Sequence, residues 1–264
     1  MAGAARPAGA GLLERGGELA RIAHAVAALQ RGDGGVLVIQ GAAGIGKSAL
    51  LRVLCEQATR LGVQTFCARA SELEREFGFG VVRQLLETRV VRTDESERAE
   101  LLSGAAGLAG PVLSLGGGSV GDPFAALHGL YWLVANLSAR GPAVLAVDDL
   151  HWADEPSLRW LVYLCHRLEG LPVLVAATTR PPRPGHPPLL AELLAVAGGQ
   201  VLCPGPLSKS AVARLLRDGL GTEPDPVFVS ACTNATAGNP FVLRELIFEL
   251  AADGVAPTAA QAAG

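Results

Sequence analysis

Eight residues, Gly41-Ala42-Ala43-Gly44-Ile45-Gly46-Lys47-Ser48, carry the spacing G-x-x-x-x-G-K-S, which suits them to hold a phosphate chain. The glycines let successive backbone N–H groups curl around an anion with no Cβ in the way. A following helix adds the positive end of its dipole, and Lys47 adds a full charge. The apolar run Val36-Leu37-Val38-Ile39 precedes the motif, and the helix-forming segment Ala49-Leu50-Leu51-Arg52-Val53-Leu54 follows it. The pattern therefore lies in the strand–loop–helix setting that its chemistry needs, and Gly41 to Ala49 are the expected nucleotide-binding residues. Only two lysines occur in the chain, Lys47 and Lys209, and its own residue frequencies give about 0.003 chance occurrences of the pattern.

A bound triphosphate needs Mg2+ and a group that orients the attacking water. Ser48 offers a hydroxyl beside the β- and γ-phosphates. A carboxylate is also needed at the end of a buried strand, next to the loop in the sheet. Asp148 meets that need after the apolar run Ala143 to Val147. Mg2+ keeps most of its waters, so one serine oxygen and one water-bridged aspartate suffice. Asp149 follows directly and is the expected group to polarise the water; a solvated turn or helix cap would use the same pair of carboxylates. Arg180 ends the strand Pro172 to Arg180, where its guanidinium could reach a γ-phosphate and tell ATP from ADP; a plain surface arginine fits the position too. His151 is explained as well by a local hydrogen bond as by catalysis, and Trp152 by core packing. Gly238-Asn239-Pro240 reads as a turn that starts a helix. Leu102-Ser103-Gly104-Ala105 falls short of the ABC transporter signature, lacking its second glycine and glutamine, and reads as loop.

The elements that position these groups follow from periodicity. Helical spacing spans Leu19 to Leu29, and the helix after the phosphate loop runs to about Leu61, where Gly62 stops it. Val63 to Ala68 is a second strand, and Ser71 to Val91 is helical with a break near Gly78 and Gly80. Ser103 to Gly121 looks like a loop with loose helical pieces, and Asp122-Pro123 caps a helix to about Ala139. A helix from Pro156 to about Leu168, a proline-rich crossover over Pro181 to Pro188, a helix from Leu189 to Val196 and an edge strand Gln200 to Cys203 complete an α/β core. Continuously apolar strands alternating with helices predict a parallel sheet covered on both faces. Three helices follow: Ser208 to Leu220, Asp225 to Thr236 and Pro240 to Asp253. The expected division is a disordered N-terminus over 1–11, an ATPase core over 12–205, a helical lid over 206–253 and a frayed tail over 254–264.

Composition narrows the function classes. The 264 residues carry a net charge of −3 with both signs interspersed, so no basic stripe or DNA-binding motif is offered to nucleic acid. No apolar stretch of spanning length and no leader-like h-region occur, so neither a membrane segment nor secretion is expected. The five cysteines, Cys55, Cys67, Cys165, Cys203 and Cys232, are odd in number and far apart, and read as reduced, mostly buried small residues of a cytoplasmic protein.

Several of these stations together resemble a known family. Val144 to Asp154, with its D-D-L-H-W-A-D run, resembles the acidic motif of STAND-type signalling ATPases, closest to the large ATP-binding LuxR-kind regulators and their Orc1-like AAA relatives. Leu73 to Gly80 and Gly238-Asn239-Pro240-Phe241 are similar to other stretches of that family, and the likeness runs from about Leu12 to Leu250. The opening stretch resembles the family's L-x-G-R-E-x-E-L start with Arg15 in place, Glu14 standing for the glycine, and Gly16 and Gly17 for the next two positions. The resemblance implies a P-loop NTPase of the ASCE type: a three-layer α/β/α core, a five-stranded parallel sheet of order 5-1-4-3-2 and a small helical lid closing over ATP. It further implies that Arg180 senses the γ-phosphate and that Pro240 contacts the adenine. Such regulators usually continue into winged-helix, repeat and helix-turn-helix regions, whereas these residues stop after the lid.

The function expected from all this is an ATP-binding, slowly hydrolysing switch domain of a signalling or transcriptional regulator. Lys47, Asp149 and Arg180 would be catalytic, Ser48 and Asp148 would hold Mg2+, and ATP binding would drive self-association or recruit protein partners. The same residues also fit a nucleotide-gated scaffold without turnover, or a DNA-loading ATPase of the Orc1 kind, which the acidic balance disfavours. GTP is disfavoured because no N/T-K-x-D base-reading motif is seen.

Overall fold

A computed structural model describes residues 12–113, 115, 121–181 and 187–263. The disorder expected over 1–11 and most of the proline-rich crossover lie outside the described residues.

The apolar runs form five strands, β1 (Gly35–Gln40), β2 (Gln64–Arg69), β3 (Ala143–Asp148), β4 (Val173–Thr179) and β5 (Val201–Leu202). They pair in parallel as β2-β3-β4-β1-β5, which is the expected order 5-1-4-3-2 read from the other edge. The order puts β4 between β1 and β3, so Asp148 does not end a strand adjacent to the phosphate loop's own. Register makes up for the gap: Ile39 pairs with Thr178 and Val147 with Ala177, so the carboxyl ends of β1, β3 and β4 are level. Gly41, Asp148 and Arg180 therefore leave the sheet along one edge, where parallel sheets gather ligands.

Alternation along the strands feeds two cores. Leu37, Ile39, Val144 and Ala146 face α1 (Gly16–Gln30) and α2 (Lys47–Arg60), whose Ile22, Val26, Leu50 and Leu54 are sealed from solvent. Val36, Val38, Leu145 and Val147 face the other side. That side is covered by α3 (Gly80–Val91), α5 (Pro123–Ser138), α6 (Glu155–Cys165) and α7 (Pro188–Ala197), with α4 (Glu95–Leu101) between α3 and α5 in the chain. The last three helices, α8 (Lys209–Leu220), α9 (Pro226–Thr236) and α10 (Pro240–Ala252), have a core of their own around Val212, Leu216, Phe228 and Leu243. Side-chain caps at Asp122, Asp154, Ser208, Asp225 and Asn239 start their helices as the cap-then-proline or cap signals predict.

Several expectations are corrected. The stretch 71–79 is not helical beyond a 3-10 turn at Glu72–Glu74, because Phe79 sits at φ +62° and α3 begins only after it. Asp154 holds that break in place. Its carboxylate accepts backbone N–H groups from Phe79 (2.8 Å) and Val81 (3.3 Å) while also capping α6 through Ser157 (2.9 Å). Two of the stretches that carried the family likeness thus meet at one buried carboxylate. Asp154→Ala strands three donors at about 1 kcal/mol each, so a loss of about 3 kcal/mol is expected in urea unfolding.

The helix α4 had a signal that was not used, Asp94 with Glu97 three residues on, and the Asp94 side chain accepts from the Glu97 N–H. The described part of the expected loop with loose helical pieces over 103–121 does hold a short 3-10 helix, Gly104–Ala109, but it is packed rather than open: Ala106, Ala109, Val112 and Leu113 are fully buried, and the segment presses against α5 at Gly129. The tail is not frayed over its described residues. Asp225 N–H donates to the Pro257 carbonyl at 2.8 Å, Val255 and Ala262 pack on the lid core, and Ala259–Ala263 forms a 3-10 turn. The cysteines are not mostly buried either, since Cys67 and Cys203 are exposed and Cys55 is half-buried.

Candidate functional site

The backbone of Gly41 to Gly46 wraps a hollow at the head of α2, with Gly44 and Gly46 at φ +76° and +102°. Lys47 and Ser48 open the helix from there. Lys47 as a residue is 6% exposed, and its ammonium donates to the Ala42 carbonyl of its own loop at 2.9 Å. Burial holds its pKa below the ordinary 10.5, and the Arg180 charge acts in the same direction, against Asp149 and Asp148. An arriving polyphosphate would relieve both penalties.

Ser48 Oγ donates to Asp148 Oδ1 at 2.9 Å, which joins the first turn of α2 to the end of β3. The same carboxylate oxygen accepts Thr178 Oγ1 at 2.6 Å, and Thr178 Oγ1 in turn accepts the Asp149 N–H at 2.8 Å. Thr178 therefore fixes both aspartates from the neighbouring strand, a role that a polar residue in a buried strand end could have suggested. Asp149 itself sits at φ +55°, a conformation aspartate tolerates better than most residues. Arg69, ending the edge strand β2, lies 3.5 Å from Asp149 Oδ2 and 4.0 Å from Asp148 Oδ2. The serine hydroxyl and two carboxylates form a hard-oxygen set, and Ser48 and Asp148 already converge; this fits Mg2+.

These groups face one cavity of about 390 Å3. It is lined by the polar side chains Lys47, Ser48, Arg69, Asp149 and Arg180 and by the apolar Leu12, Leu13, Leu207, Leu215, Pro240 and Phe241. Adding Arg15 and Arg244, five cationic side chains line it against Asp149 alone. A cavity lined by both cationic and apolar side chains suits a nucleotide better than a free phosphate. The Arg180 guanidinium lies 6.0 Å from the centre of the Trp152 ring, which steadies it; His151 is buried beneath, tilted against the same ring at 5.0 Å.

The lid is fastened to the loop at the start of α10. Asn239 Nδ2 donates to the Ala43 carbonyl at 2.8 Å and the Phe241 N–H to the Gly44 carbonyl at 3.2 Å. A Cβ on Gly44 would come within 2.7 Å of Asn239 Oδ1, so only glycine lets the lid approach this closely. Asn239→Ala also removes the cap of α10, worth about 1 kcal/mol, and about five-fold faster hydrogen exchange at the Phe241 amide is the expected result.

The opposite fastening was not foreseen. Arg15 is buried and donates to the carbonyls of Gly205 (2.6 Å) and Ile45 (3.3 Å), tying the phosphate loop to the core–lid link. Glu14 sits at φ +56°, where the family's glycine would be unstrained, and its carboxylate holds the Ser208 N–H (2.8 Å) and hydroxyl at the start of α8. Those hydrogen bonds lower the Glu14 pKa below 4.5, so their contribution is present above that pH and is lost as pH falls through the lowered value. Arg244, on α10 at the cavity wall, was likewise missed, since a lone arginine inside a helix carries no sequence mark.

A family model described as AAA ATPase domain matches residues 11–176. An uncharacterized protein of Rhizobium meliloti (strain 1021) is 29% identical over 205 residues, 66% of this chain but only 19% of that protein. Among solved structures, Cdc6p from Pyrobaculum aerophilum superposes with a TM-score of 0.58 at 14% identity, over 92% of this chain and 62% of that one. Orc1 of Aeropyrum pernix, solved in complex with DNA, gives 0.55 at 20% identity, over 95% and 64%. The chain thus spans less than two thirds of these relatives' lengths, and likeness at that identity speaks for the fold, a P-loop NTPase core with a parallel sheet of order 5-1-4-3-2. The chain belongs to the AAA ATPase domain family.

Proposed function

We propose that the chain is an ATP-binding, slowly hydrolysing switch domain of a signalling or transcriptional regulator, acting in the cytoplasm. The observation that carries this reading is the cavity in which the Lys47 loop, Ser48, Asp149 and Arg180 meet a lid hydrogen-bonded to the loop carbonyls of Ala43 and Gly44, with Asp148 joined to it through Ser48. Gly41 to Ala49 cradle the phosphates, Lys47 neutralises them, and Pro240 lines the same cavity beside Phe241, where a base would lie. Ser48 and Asp148 would hold Mg2+, which supplies charge neutralisation at the β- and γ-phosphate oxygens. Asp149, fixed through its N–H by Thr178, orients and polarises the attacking water, and Arg180 contacts the γ-phosphate.

Because Asn239 and Phe241 reach the loop itself, a change at the phosphates is passed directly to α10 and the lid. That coupling favours a switch, with self-association or a protein partner reading the lid position. Phosphate release from MgATP is expected at about 10⁻² s⁻¹ or slower, in the range of switch NTPases before activation. Tight MgATP binding with no release above a protein-free blank would instead establish a nucleotide-gated scaffold.

A further inference from the structure

Cys55 on α2 and Cys67 on β2 were read from sequence as two unrelated small residues. Their sulfur atoms lie 3.8 Å apart, in hydrogen-bond contact. A groove of about 600 Å3 beside them also includes Ser48, Arg52, Arg69 and Asp148, so the pair opens to solvent and toward the phosphate site. We propose that Cys55 and Cys67 form a reversible redox site, oxidised by low-molecular-weight disulfides to an intrachain disulfide that ties β2 to α2 next to the Ser48–Asp148 pair.

Cys67 is the exposed member and attacks first. Its thiolate displaces one sulfur of the oxidant RS–SR, and RS⁻ leaves with the electron pair of the broken bond. Cys55 then gives its proton to solvent and attacks Cys67 Sγ in the mixed disulfide, expelling the second RS⁻. Two electrons pass from the protein to the oxidant, which leaves as two thiols. The Cys55 thiol against it brings Cys67 down to about 7, while Cys55 is pushed up by that same contact and by burial. Acidity alone gains little: the larger thiolate fraction at pH 7 is mostly offset by lower nucleophilicity, leaving about a three-fold advantage over an ordinary thiol. Ring closure decides the outcome, because the second sulfur is already in contact and needs to move only to about 2.05 Å. β2 is an edge strand with one neighbour, β3, so the shift disturbs a single strand pairing.

Coupling to the nucleotide site runs through Arg69. Cys67 and Arg69 are two residues apart in β2 and share a face, and Arg69 already lies against Asp148 and Asp149. Drawing β2 toward α2 presses that guanidinium onto the carboxylates that would meet Mg2+. This second part rests on the proposed nucleotide function; the thiol chemistry does not.

The test treats the whole chain with excess glutathione disulfide and follows free thiols, intact mass and non-reduced peptide maps. Wild type is expected to lose the Cys55 and Cys67 thiols together and yield a Cys55–Cys67 cross-linked peptide that dithiothreitol reverses. Cys55→Ser should stop at a mixed disulfide on Cys67, and exposed Cys203, at the opposite sheet edge, serves as the internal reference. Wild type that accumulates a stable mixed disulfide on Cys67, or leaves Cys67 unreacted while Cys203 is modified, overturns the site. Oxidation should also raise the Mg2+ needed for half-maximal binding of a fluorescent ATP analogue by up to about five-fold, the scale of one strengthened exposed ion pair. No such rise, or an equal rise in the Cys55→Ser/Cys67→Ser double variant, overturns the coupling. Absence of any nucleotide binding by reduced protein would instead count against the nucleotide function and leave the thiol result intact.

Discussion

Asp149→Asn is expected to lower phosphate release from MgATP by about 10²- to 10⁴-fold, the usual share of a positioned general base. The substitution is chosen because it removes so little else. Asparagine tolerates the left-handed backbone at φ +55°, and the N–H that Thr178 accepts is unchanged. The ion pair with Arg69 is lost, but Arg69 is 75% exposed there, so the loss is worth about 1 kcal/mol or less. Binding is therefore expected to stay within about five-fold while the chemical step collapses, a split that single-turnover release beside calorimetric titration would read directly. Asp148→Asn should behave differently, because Asp148 Oδ1 is engaged by both Ser48 and Thr178 and its loss disturbs the pair proposed to hold Mg2+. Equal turnover in wild type and Asp149→Asn would remove Asp149 from the mechanism.

What could be read from the sequence follows from how far the information had to travel along the chain. The phosphate loop, the buried strands and the capped helices are local patterns, and each was legible from a window of a few residues. The sheet order came from the family likeness, because strand neighbours are set by crossovers that no window contains. Failures gather where distant residues fix one another. Phe79 takes a positive φ because Asp154, 75 residues later, grips its N–H. Ala106 and Ala109 become core only because α5 presents Gly129 to that segment. In the candidate site, Lys47, Ser48, Asp148, Asp149 and Arg180 are singled out by type and position. Thr178, Arg69 and Arg244 are not, and Arg15 only as a match to the family's opening stretch, since each gains its meaning from a partner across the fold. Glu14 is the instructive case: it looks like a lost glycine in sequence, yet in space it exchanges backbone ease for two hydrogen bonds to Ser208.

Lys47→Ala separates binding from folding. The ammonium is buried, its pKa is held down chiefly by that burial, and its nearest acceptor is only a carbonyl of its own loop. The protein thus keeps a desolvated charge that Asp149 and Asp148 offset only in part. A charge-assisted contact to phosphate is worth about 2 kcal/mol, so the variant is expected to bind MgATP about 30-fold more weakly. The fold should not suffer in proportion, because removing a desolvated charge offsets part of the packing lost with the aliphatic stem. Thermal unfolding makes the contrast measurable. At a ligand concentration 100 times the wild-type Kd, wild type gains about 2.7 kcal/mol from the ligand and the variant about 0.9 kcal/mol. Equal stabilisation of both proteins by MgATP would show that the nucleotide binds elsewhere. A variant that is unstable without ligand would instead assign Lys47 a structural role, and Lys47→Met, which keeps the stem and removes the charge, should then recover the fold but not the binding.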